Sequence, residues 1–444
     1  HVLSRRQRQM CIRDSNTLDQ AGKIVQLSGM HSNRSEDNNF GYMFNFSFYD
    51  NWTGSDNVEA EWDDEGNIVE HDIRKYLVHR ERKSLGLRFD YNLGNTELYT
   101  DLNYNDRDDY ENRYRQRIKD LDEGEGSQEV RRQTKAGLPG NEYGRLEDQK
   151  LFSYKFGGTS LLDKLKLDYS FKISEASELR PNERYLALRL KKQTAVWNQS
   201  TEKPNFTFSN AIAADLNNSW DFRNLIEERR DTDEKARSFK VDADYNFSDN
   251  LKIEAGLKIS TRKKERRNEF YEFEPVDEDA FLADAFSNIV SQNKSEWLND
   301  GDGTSYNSGS YVSREFVGNL DLSNTALFER VVVEEELAGN FKASEDITSF
   351  YGMATYDYSD RLLIVGGLRL ERTSLYDLEA RSYDEDNDVN NVISASDNDY
   401  TDVLPSLHMI YDLDGVSKLR VALTKSLARP NYFDTVPYQQ VKIE

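Results

Sequence analysis

From Ser84 the chain reads SLGLRFDYNL, with Leu85, Leu87, Phe89, Tyr91 and Leu93 on one parity and Ser84, Gly86, Arg88, Asp90 and Asn92 on the other. A two-residue period with that contrast specifies a β-strand with one apolar and one wet face. Gly94-Asn95-Thr96 supplies turn chemistry, and Leu98, Leu102 and Tyr104 carry the pattern on, which predicts a tight hairpin. The unit recurs. Leu151–Phe156 leads through Gly157, Gly158 and a short turn to Leu165, Leu167, Tyr169, Phe171 and Ile173. Phe239, Val241, Ala243, Tyr245 and Phe247 form a third apolar face, answered after Ser248-Asp249-Asn250 by Leu251, Ile253, Ala255, Leu257 and Ile259. Phe350–Tyr358 with Leu362–Leu370, Leu407–Leu413 with Leu419–Leu423, and Lys23–Met30 with Phe40–Tyr49 complete six hairpins. Twelve strands of about nine residues each follow, the length a tilted strand needs to cross a bilayer core.

Connections within these hairpins take a few residues, whereas those between them are long: Asn51–Lys83, Asp106–Lys150, Glu175–Lys235, Arg262–Gly339 and Ser374–Thr401. Short and long connections alternate. A membrane barrel has a reason for this, because its short turns lie on the periplasmic side and its long loops outside. Tyr91, Tyr245, Phe247, Tyr356, Tyr358 and Tyr411 stand just before the short turns, where an interfacial aromatic girdle belongs. An antiparallel sheet of a soluble protein, packed on one side and solvated on the other, gives the same alternation. The expected fold is all-β, an antiparallel up-and-down transmembrane barrel of which about 12 strands are seen.

Composition sharpens this reading. Only 37% of the 444 residues are hydrophobic, yet aromatics reach 12%, which speaks against disorder and for apolar residues confined to one face. A net charge of -23 argues against a nucleic-acid partner. The one Cys, Cys11, rules out a disulfide scaffold or a cysteine-rich metal site. No run approaches the roughly 18 apolar residues of a transmembrane helix. The first fifteen residues, with four Arg and one Asp, look foreign to an acidic chain and are expected to be non-native, leaving residues 16–444 as barrel.

Three blocks carry a family resemblance: GGLRLERT (Gly366–Thr373), LPSL (Leu404–Leu407) and LARPNY (Leu427–Tyr432). With their surroundings, Ile347–Tyr376 and Asp402–Tyr438, and with Arg82–Arg115, they resemble barrel segments of TonB-dependent receptors. The resemblance implies an outer-membrane importer of a Gram-negative bacterium, whose barrel has about 22 strands around a plugged lumen. It also implies as partners the outer-membrane lipid, a plug domain, the TonB system and a scarce small solute of siderophore, vitamin, glycan or peptide class. Neither a plug nor the last strands are recognised in the sequence, so the chain reads as a fragment of a longer protein. On the same resemblance, the wet-parity residues Arg88, Asp90, Lys166, Asp168, Asp242, Asp244, Arg369 and Glu371 would line the lumen and face the plug; solvation and ion pairing are their plainer role.

Catalytic and metal chemistry is sparse, and no cofactor is expected. His1, His31, His71, His79 and His408 show no ligand spacing, and His408 falls on the wet parity. Asp384, Asp386 and Asp388 mimic the start of a calcium loop, but Val389 and Ala395 occupy its required Gly and acidic positions. Asn299–Gly303 is likewise a solvated acidic turn, and Gly124–Glu129 is no phosphate cradle. One stretch, Asp277–Val290, has helical spacing, with Leu282, Phe286, Ile289 and Val290 on one face. It packs within a long connection or covers a ligand. Trp52, Trp62, Trp197, Trp220 and Trp297 belong to the long segments, where they stack on planar ligands or pack the segments together. An enzyme is not expected. A passive outer-membrane channel or a soluble all-β binding protein are the other readings the sequence leaves open.

Overall fold

The computed structural model describes residues 8–13, 22–292, 306, 309–384 and 389–441. In chain order its strands are β1 (Arg8–Arg13), β2 (Ile24–Arg34), β3 (Phe40–Trp62), β4 (Ile68–Asn92), β5 (Thr96–Lys119), β6 (Gln128–Ala136), β7 (Arg145–Leu162), β8 (Leu165–Gln193), β9 (Ala195–Trp197) and β10 (Phe206–Phe208). Then follow β11 (Asp221–Ser248), β12 (Leu251–Pro275), β13 (Ile289–Ser291), β14 (Ser310–Val312), β15 (Phe328–Val332), β16 (Phe341–Ser359), β17 (Leu362–Asp384), β18 (Val389–Ser394), β19 (Asn398–Asp412), β20 (Lys418–Thr424) and β21 (Gln439–Val441). Two helices, α1 (Glu278–Ser287) and α2 (Arg314–Asn319), lie in the connection between β12 and β16.

Twelve strands make one antiparallel meander in the order β2, β3, β4, β5, β7, β8, β11, β12, β16, β17, β19, β20, each paired with the next. These are the twelve strands the alternation predicts. The register aligns their apolar positions into a band. Phe46 faces Leu85, Leu85 faces Tyr104, and Tyr104 faces Phe152. Further on, Phe171 faces Phe239, Phe239 faces Ile259, Leu257 faces Phe350, and Phe350 faces Leu370. Large members of the band, among them Phe44, Phe171, Phe239, Phe350 and Leu370, are exposed. An exposed apolar surface this continuous is costly in water and is what lipid requires. All six short turns fall at one end of the sheet, and the exposed Tyr91, Tyr245, Phe247, Tyr356, Tyr358 and Tyr411 stand beside them.

The other end differs from expectation. Strands run on into all the long connections and fill most of each except Glu175–Lys235, about half of which is β8 and β11, and Arg262–Gly339, where β12 ends at Pro275. β3 and β4 stay paired as far as Trp62 and Ile68, and β11 and β12 as far as Leu225 and Phe273. Seven of the twelve strands therefore reach 23 to 29 residues, against the nine that alternation predicts. Beyond the band both faces of the ladder are polar or packed against other segments, so the two-residue period that reveals a strand disappears while the pairing continues. At roughly 3.3 Å per residue the longest strands extend far past a bilayer core of about 30 Å. In this rim β6 and β7 share one position in the sheet, β6 pairing β5 and β8 above the point where β7 begins. The chain reverses between them at Gly137, where a Cβ would lie 1.9 Å from the Gly144 carbonyl oxygen; only glycine fits. β1 pairs with β3 at the rim, and among the described residues no ladder joins β2 to β20.

A cap closes over the rim. Leu186, Leu188, Leu225 and Phe273 of the strands are buried against Trp220 of the β8–β11 connection and Ala285, Val317 and Phe328 of the β12–β16 connection. Within it the predicted helix begins as expected, with the Asp277 carboxylate accepting from the Ala280 amide at 2.9 Å. It ends at Ser287, however, and buries Ala285 with Phe281, Leu282 and Phe286 packed alongside. Ile289 and Val290 leave the helical face and pair instead with Val312 and Tyr311. β-branched side chains and a waiting strand favour that outcome. Trp52 and Trp62 lie on β3 and Trp197 on β9, Trp62 and Trp197 meet edge to face at 6.4 Å, and Trp220 is buried. Packing of segments thus accounts for Trp62, Trp197 and Trp220; Trp297 and Asn299–Gly303 lie outside the described residues, as do Asp386 and Asp388.

The facing of the band generates a test. Leu167 sits on it, flanked by Ser160 and Ala243. Leu167→Arg should cost about 2 kcal/mol of folding free energy in bilayers, nearer the lower end of the range for a lipid-facing cation because the site lies towards the turns. Urea unfolding in lipid vesicles measures this, and an unchanged stability would place Leu167 off the lipid face.

Candidate functional site

The eight residues expected on the wet parity all occupy the face opposite the apolar band, and each is engaged. Arg88 pairs with Asp101 at 3.2 Å and Asp90 with Arg34 at 2.5 Å. Lys166 pairs with Asp168 at 2.5 Å, and the Thr159 hydroxyl donates to the same carboxylate. Asp242 takes Lys240 at 2.5 Å and the Tyr351 hydroxyl at 2.9 Å; Asp244 lies 3.2 Å from Lys252. Arg369 pairs with Glu371 at 2.6 Å. Three of these six ion pairs stand two residues apart on one strand, since side chains at i and i+2 share a face. Ion pairing, the plainer role, describes these contacts. The eight residues do not converge on one point but are spread along β4, β8, β11 and β17.

Towards the rim the wet face holds a hollow of about 590 Å³. It crosses seven strands, with Ser47 of β3, Arg82 of β4, Arg107 of β5, Gln149 of β7, Glu178 of β8 and Lys264 of β12 among its walls. No motif announces it, because one to three residues from each strand build it and only the register brings them together.

A second feature missed by the sequence joins two of the resemblance blocks. Arg429 of LARPNY reaches the carboxylate of Glu371 in GGLRLERT, donates to Thr373 Oγ1 at 2.9 Å, and lies 3.5 Å from Glu345. Tyr432 donates to Glu345 at 3.2 Å, and Val436 is buried with Phe341, Leu375 and Ala380. The segment after β20 therefore lies across the wet face of β16 and β17. LPSL joins in through Pro405, whose carbonyl accepts from the Lys425 amide at 3.0 Å.

His1 lies outside the described residues, and the four described histidines are structural contacts. His31 meets the Tyr42 hydroxyl and His408 meets Ser406, at 3.0 and 2.9 Å. His79 is stacked between Trp52 and Tyr110, with Asp50 and Glu142 3.0 Å from its two ring nitrogens. His71 is buried beneath Phe206 and Tyr306 and bonds the Pro204 carbonyl at 3.0 Å, tying the 198–206 segment to β4. Asp106, Asp108 and Asp148 bring carboxylate oxygens within 4.8 Å of one another, but Lys150 already lies 2.5 Å from Asp148. Gly124–Glu129 is the β5–β6 turn, with Gly126 at φ +83° and the Gln128 amide donating to the Gly124 carbonyl at 3.0 Å.

Two expectations follow. Arg429→Met would leave buried Glu345 without its cation and Glu371 with Arg369 alone, at a cost of about 3 kcal/mol, and adding Glu371→Gln should restore part of it. Urea titration of the refolded barrel in detergent reads both. Burial pushes His71 from its usual 6.5 down to about 4. The unfolded chain then takes up a proton before the folded one, so stability is complete above pH 6.5 and falls as pH drops towards 4, by at most about 3 kcal/mol. Hydrogen exchange around Ile68–Ile73 should accelerate across that window and do so less in His71→Gln.

No curated protein and no solved structure matches the chain. A family model does. TonB dependent receptor-like, beta-barrel, matches residues 180–441, more than half of the chain. That span contains all three resemblance blocks and the wall from β11 to β20, while Arg82–Arg115 precedes it. With the apolar band, the one-sided short turns and this match in hand, the chain belongs to the TonB-dependent receptor family of outer-membrane β-barrels.

Proposed function

We propose that the chain forms the wall of an active importer, which takes up a scarce solute of siderophore, vitamin, glycan or peptide class with energy delivered through TonB. The family is one of transporters, and family membership implies a Gram-negative outer-membrane setting. The observation that carries the reading is the polarity of the sheet: six short turns at one end, and at the other a strand rim with a folded cap. In this reading the turns are periplasmic and the rim extracellular. The cap and rim meet the solute, and the wet face lines the lumen against a plug domain, with Arg88, Asp90, Lys166, Asp168, Asp242, Asp244, Arg369 and Glu371 along it. Their ion pairs keep that wall hydrated and of fixed shape, so a plug can slide or be remodelled without exposing unpaired charge. Residues 16–444 belong to the wall in this reading, and residues 1–15 are read as non-native.

A deletion strain tests the proposal. Loss of the chain should abolish growth on at least one limiting solute that a strain lacking TonB also cannot use, and uptake should stop when the proton-motive force is collapsed. Uptake that survives both treatments would make the wall a passive channel.

A further inference from the structure

In the rim, the wet face carries a field of guanidinium groups. Alternate positions of β5 set Arg113, Arg115 and Arg117 along one side of the strand. The register then places Arg74 of β4 opposite Arg115, Arg131 of β6 opposite Arg117, and Arg189 of β8 opposite Arg131. Directly opposed residues have Cβ atoms about 5 Å apart, a spacing at which like charges destabilise a sheet. Six arginines thus adjoin one another in a chain of net charge -23.

Three of them are answered. Glu59 lies 2.5 Å from Arg74, Glu70 and Asp72 lie 2.9 and 2.8 Å from Arg117, and Glu129 pairs with Arg131. Among the described residues no carboxylate pairs with Arg113, Arg115 or Arg189. Arg113 has the Gln133 amide oxygen at 2.6 Å and the Tyr185 ring at 5.9 Å. The Nε atoms of Arg113, Arg115 and Arg189 are all buried without an acceptor, while the side chains stay partly open to solvent. Burial chiefly, then Arg113 and Arg117 against the opposing pull of Asp72, pushes the Arg115 guanidinium down to about 10.

Guanidinium is the group that binds carboxylate and phosphate through two parallel hydrogen bonds, and arrays of it on a fixed sheet concentrate anions. β6 separates β5 from β8 and Arg189 lies level with Arg117, so Arg115 and Arg189 start about 12 Å apart, a span suited to a solute with more than one anionic group. We propose that this arginine field captures an anionic solute, one bearing two or more carboxylate or phosphate groups, at the rim of the barrel. The proposal rests on the importer reading and names the class of its solute.

The test uses the receptor purified in detergent from outer membranes and titrated calorimetrically with citrate, pyrophosphate and trehalose, at 50 mM and 300 mM NaCl. Citrate or pyrophosphate should bind and trehalose should not, with affinity falling as salt rises. Whichever binds more tightly identifies carboxylate or phosphate as the recognised group. The double variant Arg115→Gln/Arg189→Gln should weaken that binding tenfold or more, Arg115→Lys several-fold, and the outward-facing Arg237→Gln not at all. Removing unpaired, mutually repelling cations should also leave urea stability equal or higher, so that lost binding is not lost folding. Equal binding by the double variant, or no anion binding by the wild type, overturns the proposal. Anion binding without energised uptake would instead overturn the importer reading and leave the site standing. Energised uptake unchanged in the double variant would do the reverse.

Discussion

Inside lipid, no water is available to a backbone N–H or C=O, so each must find its partner in the chain. Between β2 and β20 the meander satisfies this requirement strand by strand, and the rest of the structure follows from it. Pairing fixes the register, the register fixes which side chains share a face, and a slip by one residue would exchange the apolar band for the charged wall. The hairpin turns are correspondingly short. Gly94 at φ +80° and Gly415 at φ +82° occupy backbone conformations that other residues resist, and they sit where the chain must reverse. Bulges are few along these ladders and fall mainly near their ends or, as at Arg180–Glu183 of β8, above the band. The band itself thus stays in phase across twelve strands.

The same coupling decides what was legible in the sequence. Wherever one face meets lipid and the other water, as in SLGLRFDYNL or KLKLDYSFKI, the alternation is complete and the strand can be read directly. Above the band the signal fades although the strand does not. Asp231-Thr232-Asp233-Glu234-Lys235 is as regular a part of β11 as Phe239–Phe247, but polar residues face both ways there and hydropathy has no contrast to report. By its sequence alone the rim therefore reads as loops. The cap was half legible, since the Asp277 cap and the Phe281–Phe286 run identify a helix, while its end was set by a strand partner at Tyr311 and Val312, more than twenty residues away. The wet-face assignments of Arg88 through Glu371 needed only parity. The Arg429–Glu371 contact and the opposition of Arg131 to Arg189 needed register between distant strands, which no local pattern contains.

Charge on the wet face obeys a local rule that makes its exceptions informative. Lys166–Asp168, Lys240–Asp242, Lys252–Glu254 and Arg369–Glu371 each neutralise one another two residues apart on a single strand. Such pairs add little stability individually when exposed. Their effect is on the wall as a surface: little net field, constant hydration, and side chains held down along the strand. A wall built that way favours passage and discriminates weakly. The upper part of β5 departs from the rule, since Arg113, Arg115 and Arg117 repeat one sign at the same two-residue interval and their neighbours on β6 and β8 do not compensate fully. Leaving positive charge uncancelled on a sheet costs folding free energy that a Gln or Glu at Arg115 would not. A sequence selected for stability alone has no reason to accept that cost. A site that must draw anions out of solution above an otherwise balanced wall does.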